Sequence, residues 1–292
     1  MTATKINNRT IELTNLEKIL FPKSKITKKD LIEYYYNVHS WILPHLKDRP
    51  LTMFRYPNGI SKEHFVQKNI SDFFPKWIKT ANIKRKAADK IKMVVCNDLE
   101  TLIYLANLAC ITPHIWLSKV HSLNKPDKLI FDLDPPTKGL DLVIEGAFEI
   151  KEFLEKEFSI SPYIMTTGSK GVHVVVPIVN ELIFDKVKSF AKKIALLLVE
   201  KKPDLFTVEI RKEKRRKKLF IDYLRNEYAQ TAVSPYAVRA IEDASVATPI
   251  DWNELKKLNI TDFNIKTVLK RLQKKDPWKD FFKKSYSLKK LI

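Results

Sequence analysis

The sequence predicts a mixed protein of helices and strands, α+β or α/β, organised around a real hydrophobic core. Three observations lead there. From about residue 126 the apolar pattern switches repeatedly between strand and helix periods. Before that point, helical and extended stretches also interleave, with turn residues between them. And 45% hydrophobic with 11% aromatic residues over 292 positions is enough to bury a core.

Taken in order, TKKDLIEYYYNVHSWILPHLK (27–47) opens on a threonine N-cap candidate with an acid in the first turn, and then repeats apolar residues at helical spacing. LTMFRYPNGISKEHFVQK (51–68) reads as two short strands joined by a PNG turn. LETLIYLANLACI (99–111) is an apolar helix. KLIFDLD is then a strand, DLVIEGAFEIKEFLEKEF a helix, and YIMTTGSKGVHVVVP two strands around a glycine turn. ELIFDKVKSFAKKIALLLVE is an amphipathic helix, KKLFIDYL a strand, and the basic tail NIKTVLKRLQKKDPWKDFF helical as far as its Asp-Pro. There is no internal repeat and no low-complexity linker.

The 53 Lys+Arg against 34 Asp+Glu leave a formal net charge of +19, well beyond what solubility requires. Such a surface expects a polyanion. Apolar runs such as IALLLV are far shorter than the ~20 residues a membrane span needs, and MTATKINNRTIEL lacks the apolar stretch of a secretory signal. Nucleic acid is therefore the expected partner rather than a membrane. Cys96 and Cys110 have no CxxC spacing, so a disulfide framework or Cys-rich zinc site is not expected and a reducing cytoplasm fits.

Against that basic background, LIFDLDPP (129–136) places two acids on an apolar strand. Side chains alternate along a strand, so Asp132 and Asp134 share one face, about 6.6 Å apart. At an effective dielectric of about 20 they repel by roughly 2–3 kcal/mol, and a cation between them reverses the sign. Hard divalent ions such as Mg²⁺ or Mn²⁺ use such carboxylates beside substrate phosphates. A simpler alternative is that Asp134-Pro135-Pro136 only ends the strand and caps the next helix. A phosphatase of the haloacid dehalogenase type also starts from an apolar-strand DxD, but that motif continues into Gly-Thr, whereas here Pro-Pro-Thr follows.

Two of only five glycines, Gly168 and Gly171, fall in TTGSKGVHVVVP. They allow backbone N–H groups to converge on an anion, with Ser169 adding a hydroxyl and Lys170 a point charge. Walker A spacing is absent, and a plain hairpin turn explains a lone GSKG as well. His173 on its own is more often a half-buried strand histidine. In KEKRRKKLFIDYLRN (212–226), Asp222 sits on an apolar strand directly after a basic run. Three strand acids and an anion-binding turn within about 90 residues favour a phosphate-handling centre over coincidence.

The ordered set FDLDPP, TTGSKGVHVVVP and LFIDYLRNEYAQTAVSPYAVRA resembles the polymerase domain of bacterial and archaeal DNA ligase D, in the archaeo-eukaryotic primase superfamily. LTNLEKILFPKSKITKKDLIEYY, RPLTMFRYPNG, FVQKN, LANLACITPH and DPW extend the resemblance over most of the chain. It implies an α+β fold with an RRM-like primase/polymerase catalytic core and a flanking N-terminal α/β region. The whole chain would be one free-standing primase-polymerase domain: 1–125 contacting DNA ends, 126–250 the catalytic core, 251–292 a basic helical segment. The activity implied is a nucleotidyltransferase that extends primers and fills gaps in non-homologous end joining, taking NTPs or dNTPs with a preference for ribonucleotides. Its partners would be gapped or 3′-overhanging DNA with 5′-phosphate ends, Ku and a separate DNA ligase, in a nucleoid-associated cytoplasmic setting.

The resemblance also implies residue roles. Asp132, Asp134 and Asp222 would be catalytic and hold two divalent cations, Mn²⁺ or Mg²⁺. Ser169, Lys170, His173, Arg215, Arg239, His114 and Arg55 would contact the nucleotide. Phe65 and Lys68 would meet the template, and Asn15, Lys18 and Lys28 a 5′-phosphate across a gap. For Lys28 there is a physical supplement: a cation in a helix's first turn is disfavoured by the dipole, and a bound phosphate would relieve that cost through the free N–H groups. Three positions depart from the family pattern: Phe54 stands where many relatives have Lys, Val66 where they have a second aromatic, and Arg225 where they have Gln. A de novo primase and a non-catalytic DNA-end-bridging protein are the competing readings. The low cysteine count weighs against the zinc-bearing primases, and the three acids against loss of chemistry.

Overall fold

The structure is a computed structural model describing residues 2–84, 90–136, 140–257, 259 and 262–292, Thr2 by its backbone alone. It divides into two compact units. The first comprises Met1–Trp116, Thr231–Ala247 and Phe263–Leu272, the second Leu117–Gln230, Thr248–Asp262 and Gln273–Ile292. Along the chain the first unit contains β1 (Thr2–Ile6), β2 (Arg9–Leu13), β3 (Ile19–Phe21), β4 (Ile26–Thr27), α1 (Lys28–Leu46), β5 (Leu51–Arg55), β6 (Phe65–Gln67), β7 (Thr80–Lys84), β8 (Lys90–Val94), α2 (Leu99–Asn107) and β9 (Cys110–Trp116). The second continues with β10 (Lys128–Asp134), α3 (Leu140–Phe158), β11 (Tyr163–Thr166), β12 (Val172–Pro177), α4 (Phe184–Lys201), β13 (Phe206–Thr207) and β14 (Leu219–Asp222). β15 (Thr231–Val233) belongs to the first unit, β16 (Pro249–Ile250) to the second and α5 (Thr267–Leu272) to the first.

In the first unit, α1 starts where the sequence places it. Thr27 Oγ1 accepts from Asp30 N at 3.2 Å, and Asp30 Oδ2 accepts from Thr27 N at 2.7 Å, a reciprocal capping box. β5 and β6 pair antiparallel across the PNG turn within a sheet ordered β15-β9-β5-β6. α2 is shorter than its apolar pattern predicts. It stops at Asn107, Ala109 turns at φ 54°, and Cys110 begins β9. Pro113 cannot continue a helix, and the same residues gain a full ladder against β5 instead. The tail differs likewise: only Thr267–Leu272 is α-helical. Beyond the Asp276-Pro277 where the helix is expected to end, Trp278 is buried and donates its indole N–H to Ile164 O at 3.0 Å, both within the second unit. Among the described residues, no helix is long and apolar enough to cross a membrane.

The second unit is built on a six-stranded sheet, order β13-β14-β10-β12-β11-β16. β10 is central and antiparallel to both β12 and β14. α3 and α4 both pack on β10. Alternation puts Leu129, Phe131 and Leu133 on one face in register with Val176, Val174 and Val172, all fully buried. Each such side chain contributes about 1.5–3 kcal/mol by burial. The opposite face of the same strands carries Asp132, His173 and Asp222.

The β14 ladder to β10 ends at Asp222 opposite Asp132. Past it, Asn226 is fully buried and replaces a strand with its side chain. Its Oδ1 accepts from Ile130 N at 2.8 Å and its Nδ2 donates to Ile130 O at 2.7 Å and Tyr223 O at 2.9 Å. Asn226→Leu should leave both Ile130 backbone groups buried and unpaired, lowering stability by about 2–4 kcal/mol. Urea unfolding checks it; a midpoint equal to wild type would show that the clamp contributes nothing.

Candidate active site

The three acids picked out along the sequence meet on one face of the second unit's sheet. Asp132 lies directly opposite Asp222 on β14 and opposite His173 on β12, so three side chains form a row across three strands. Asp134, two residues on, has Phe220 as its partner and shares that face. Asp132 is only 4% exposed. Its Oδ2 lies 3.5 Å from His173 Nε2 and accepts from Arg225 Nε at 2.9 Å. The same Arg225 Nε is 3.3 Å from Asp222 Oδ2, and Asp222 Oδ1 caps the following turn by accepting from Leu224 N at 2.9 Å.

These partners divide the electrostatics unevenly. Burial would push the Asp132 carboxyl up, but the His173 imidazole and the Arg225 guanidinium outweigh it and hold the group at about 2. Asp134 is raised, first by burial and then by Asp132. Asp222 is raised by burial and by Asp132, with Arg225 opposing. The excess negative charge is thus compensated at Asp132 and left partly uncompensated at the other two. Three oxygen-donor carboxylates, two of them raised by burial and by the charge of Asp132, suit a hard divalent cation. As the side chains stand, though, no group of three His, Cys, Asp or Glu among the described residues is gathered closely enough to ligate one. Arg225 lies between two of the donors.

The glycine turn reaches the same place. Gly168 takes φ 66°, and Thr167 N and Oγ1 both donate to Gly171 O, at 3.0 and 3.1 Å, closing the loop. A Cβ on Gly171 would sit 2.2 Å from Leu133 O and 3.7 Å from Asp134 Oδ1. Only glycine lets the turn press on the carboxylate end of β10. Ser169 is half-buried there and Lys170 exposed. Arg215 sits over the Phe220 ring at 3.8 Å, on the acid-bearing face, donating from Nε to Glu209 O and from Nη2 to Ile210 O, both at 2.9 Å. Those bonds fix its guanidinium over Phe220. His173 is buried rather than displayed, and its Nδ1 has no hydrogen-bond partner.

The other candidates lie on the first unit. Arg55 donates to Leu108 O at 3.0 Å and Gln67 Oε1 at 2.7 Å and stacks 4.9 Å from the ring of Phe65. Phe65 is 44% exposed and Lys68 is exposed. His114, on β9, packs its ring 4.4 Å from that of Phe54. Arg239 is half-buried, its backbone N–H on Ser245 O.

Around α1 the expectation needs correction. Lys28 is 4% exposed, with Nζ donating to Asn107 O at 3.0 Å and Thr14 Oγ1 at 3.2 Å. Burial and the neighbouring Lys18 hold its pKa below the usual lysine value. The helix end does not offer free N–H groups either, because Lys28 N donates to Lys18 O at 2.8 Å, Lys29 N to Leu16 O at 2.9 Å and Asp30 N to Thr27. Lys18 is half-buried, with Nζ on Asn58 Oδ1 at 2.7 Å, and Asn15 is exposed at φ 50°.

Sequence reasoning missed the positions that hold the candidate residues of each unit in place. Asn226, Asn58 and Gln67 are ordinary polar residues in sequence, and Arg225 registers only as a departure. The one available signal was the spacing in DYLRN, which returns residue 225 to the acid at i−3 through a single tight turn.

Residues 27–278 match the family described as "LigD, primase-polymerase domain". The chain is 33% identical over 277 residues to the bifunctional non-homologous end joining protein LigD of Bacillus subtilis, covering 94% of this chain and 44% of that protein. It is 29% identical over 266 residues to the multifunctional non-homologous end joining protein LigD of Mycolicibacterium smegmatis, covering 90% and 34%. The chain therefore spans less than half the length of these relatives. Its structure is similar to the polymerase domain from Mycobacterium tuberculosis Ligase D in complex with DNA, with a TM-score of 0.87 at 25% identity over 94% of this chain and 99% of that one. With the family match extending through the acid row, the glycine turn and most of both units, this chain belongs to the LigD primase-polymerase domain family.

Proposed function

We propose that this chain is a template-directed nucleotidyltransferase that extends primers and fills gaps at DNA ends during non-homologous end joining, preferring ribonucleotides. The observation that carries the proposal is the row Asp222–Asp132–His173, with Asp134 beside it and the GSKG turn pressed against its end, in a chain of this family. Ku and a DNA ligase are the partners such a reaction calls for.

The residues divide the work as follows. Asp132, Asp134 and Asp222 would hold two divalent cations, Mn²⁺ or Mg²⁺, whose chemistry there is to acidify a primer 3′-hydroxyl and stabilise the attacking and leaving oxygens. His173 positions Asp132 and keeps it ionised. Lys170 and Ser169, on a turn that Gly171 holds against Asp134, supply a point charge and a hydroxyl donor for the triphosphate. Arg215 keeps a fixed positive charge on that face. For Arg55, His114 and Arg239 the support for a nucleotide contact is their match to family motifs. The surplus of 53 basic over 34 acidic residues supplies sequence-independent attraction to DNA.

Primer extension with Mn²⁺ tests the core of this. Ala at Asp132, Asp134 or Asp222 should abolish nucleotide addition while DNA binding at matched salt stays near wild type. Clear residual extension by any of the three removes that residue from the set, and an inactive wild type that still joins two DNA ends in a pull-down would favour the bridging alternative. Lys170→Ala should raise KM for nucleotide about tenfold, the loss of one charge contact worth about 1.4 kcal/mol. A change confined to DNA affinity would put the triphosphate elsewhere.

We also propose that the cluster of Lys18, Asn15 and Lys28 reads a 5′-phosphate across a gap. Lys28, buried and bonded to Asn107 O, orders the cluster and adds its charge from behind, while Lys18 is the reaching group. Wild type should fill a gap with a 5′-phosphate faster than the same gap with a 5′-hydroxyl, and Lys18→Ala should erase the difference without slowing extension on a simple primer–template. Equal wild-type rates on both gaps would sink the assignment. Lys28→Ala is the poorer test because it also leaves a buried carbonyl unpaired.

A further inference from the structure

Two carboxylate oxygens of the acid row have a common neighbour. One nitrogen of Arg225, Nε, lies 2.9 Å from Asp132 Oδ2 and 3.3 Å from Asp222 Oδ2. The two acids face each other in the β10–β14 register, so the guanidinium closes the gap between opposed carboxylates. The turn that carries it is fixed at both ends: Leu224 N is bonded to Asp222 Oδ1, and the Asn226 side chain is clamped on both backbone groups of Ile130. The Arg225 side chain is 35% exposed, against 6% for that of Asp132, which gives it a way out toward solvent.

Resting on the reading of these acids as metal ligands, we propose that Arg225 is a built-in counter-cation that competes with a divalent metal ion for the Asp132–Asp222 pair. The guanidinium and an ion ligated by both carboxylates are mutually exclusive occupants. The carboxylates face one positive charge or the other, and a dication arriving while Arg225 is in place meets like charge at close range. Metal uptake therefore includes the cost of breaking a partly buried ion pair, which a neutral side chain at this position would not impose. Once released, the planar guanidinium is matched to phosphate oxygens, so a triphosphate arriving with the metal favours the exchange. Arg225 thereby offsets part of the acids' charge and keeps the site weakly metal-binding until nucleotide is present.

The test is equilibrium Mn²⁺ binding to the full chain without nucleotide or DNA, followed by the electron paramagnetic resonance of the free ion. Arg225→Gln should bind Mn²⁺ at least about tenfold more tightly than wild type. Arg225→Lys, which keeps a positive charge beside the acids, should remain close to wild type, and tightening equal to that of the Gln variant would overturn the proposal. Adding Asp222→Asn to Arg225→Gln should cancel the gain; a gain that survives places the ion elsewhere and also overturns it. On the unmutated protein, phenylglyoxal modification of Arg225, read by peptide mass spectrometry, should rise severalfold with saturating Mn²⁺, and unchanged modification counts against displacement. Failure of wild type to extend primers would strike the polymerase reading and leave these binding data to be judged separately. Equal Mn²⁺ affinity of wild type and Arg225→Gln, in a protein that does extend primers, would remove this proposal alone.

Discussion

The register that sets Asp132 opposite Asp222 on one side and His173 on the other gathers acidic side chains where burial makes charge costly. A one-residue slip of β10 would send Asp132 to the helix-covered face and bring Leu133 or Phe131 in its place. The register is specified because the alternate residues Leu129, Phe131 and Leu133 must meet Val176, Val174 and Val172 under α3 and α4. The apolar face thus determines where the polar face puts its charges. The chemistry depends on packing that takes no part in it.

Cost and compensation are balanced locally. Asp132, the most deeply buried acid, has both an imidazole and a guanidinium on it and stays ionised. Asp134 and Asp222 receive less and are raised by burial and by their neighbour. That asymmetry separates one permanently charged anchor from two groups whose charge a cation would settle. The glycine turn adds a second constraint, since Gly171 has no room for a side chain against Leu133 O. The GSKG turn and the acid-bearing end of β10 are held together by this close backbone contact.

Charge acts on two scales in this protein. The net +19 creates a long-range attraction for a polyanion that is strongly salt-dependent and indifferent to base sequence. The acid row acts over a few ångströms and opposes that field. A phosphate approaching these carboxylates would meet like charge unless a cation lay between them. Arg215, stacked on Phe220, and Arg225, between Asp132 and Asp222, are cations held on the acid-bearing face.

Much of this protein was determined by sequence alone. The 2-residue and 3.6-residue periods located β10, α3, β11, β12, α4 and β14, because each period reports directly which side of an element faces apolar neighbours. The capping box of Thr27 and Asp30 was equally local. Motif order was enough to bring Asp132, Asp134 and Asp222 under suspicion. Tertiary structure decided the rest. α2 gave up its last turn at Asn107 because Cys110–Trp116 found a strand to pair with, and the tail helix stops at Leu272, short of the Asp276-Pro277 that the sequence suggests. Lys28, which reads as an exposed helix-start lysine, is buried with its ammonium donating a hydrogen bond to the carbonyl of Asn107, 79 residues away. Arg225 is a lone basic residue in sequence, and only the turn clamped by Asn226 lays it across two carboxylates 93 and 3 residues away. Sequence records periods and residue types; which distant groups share a charge or a hydrogen bond is settled only when the strands are in register.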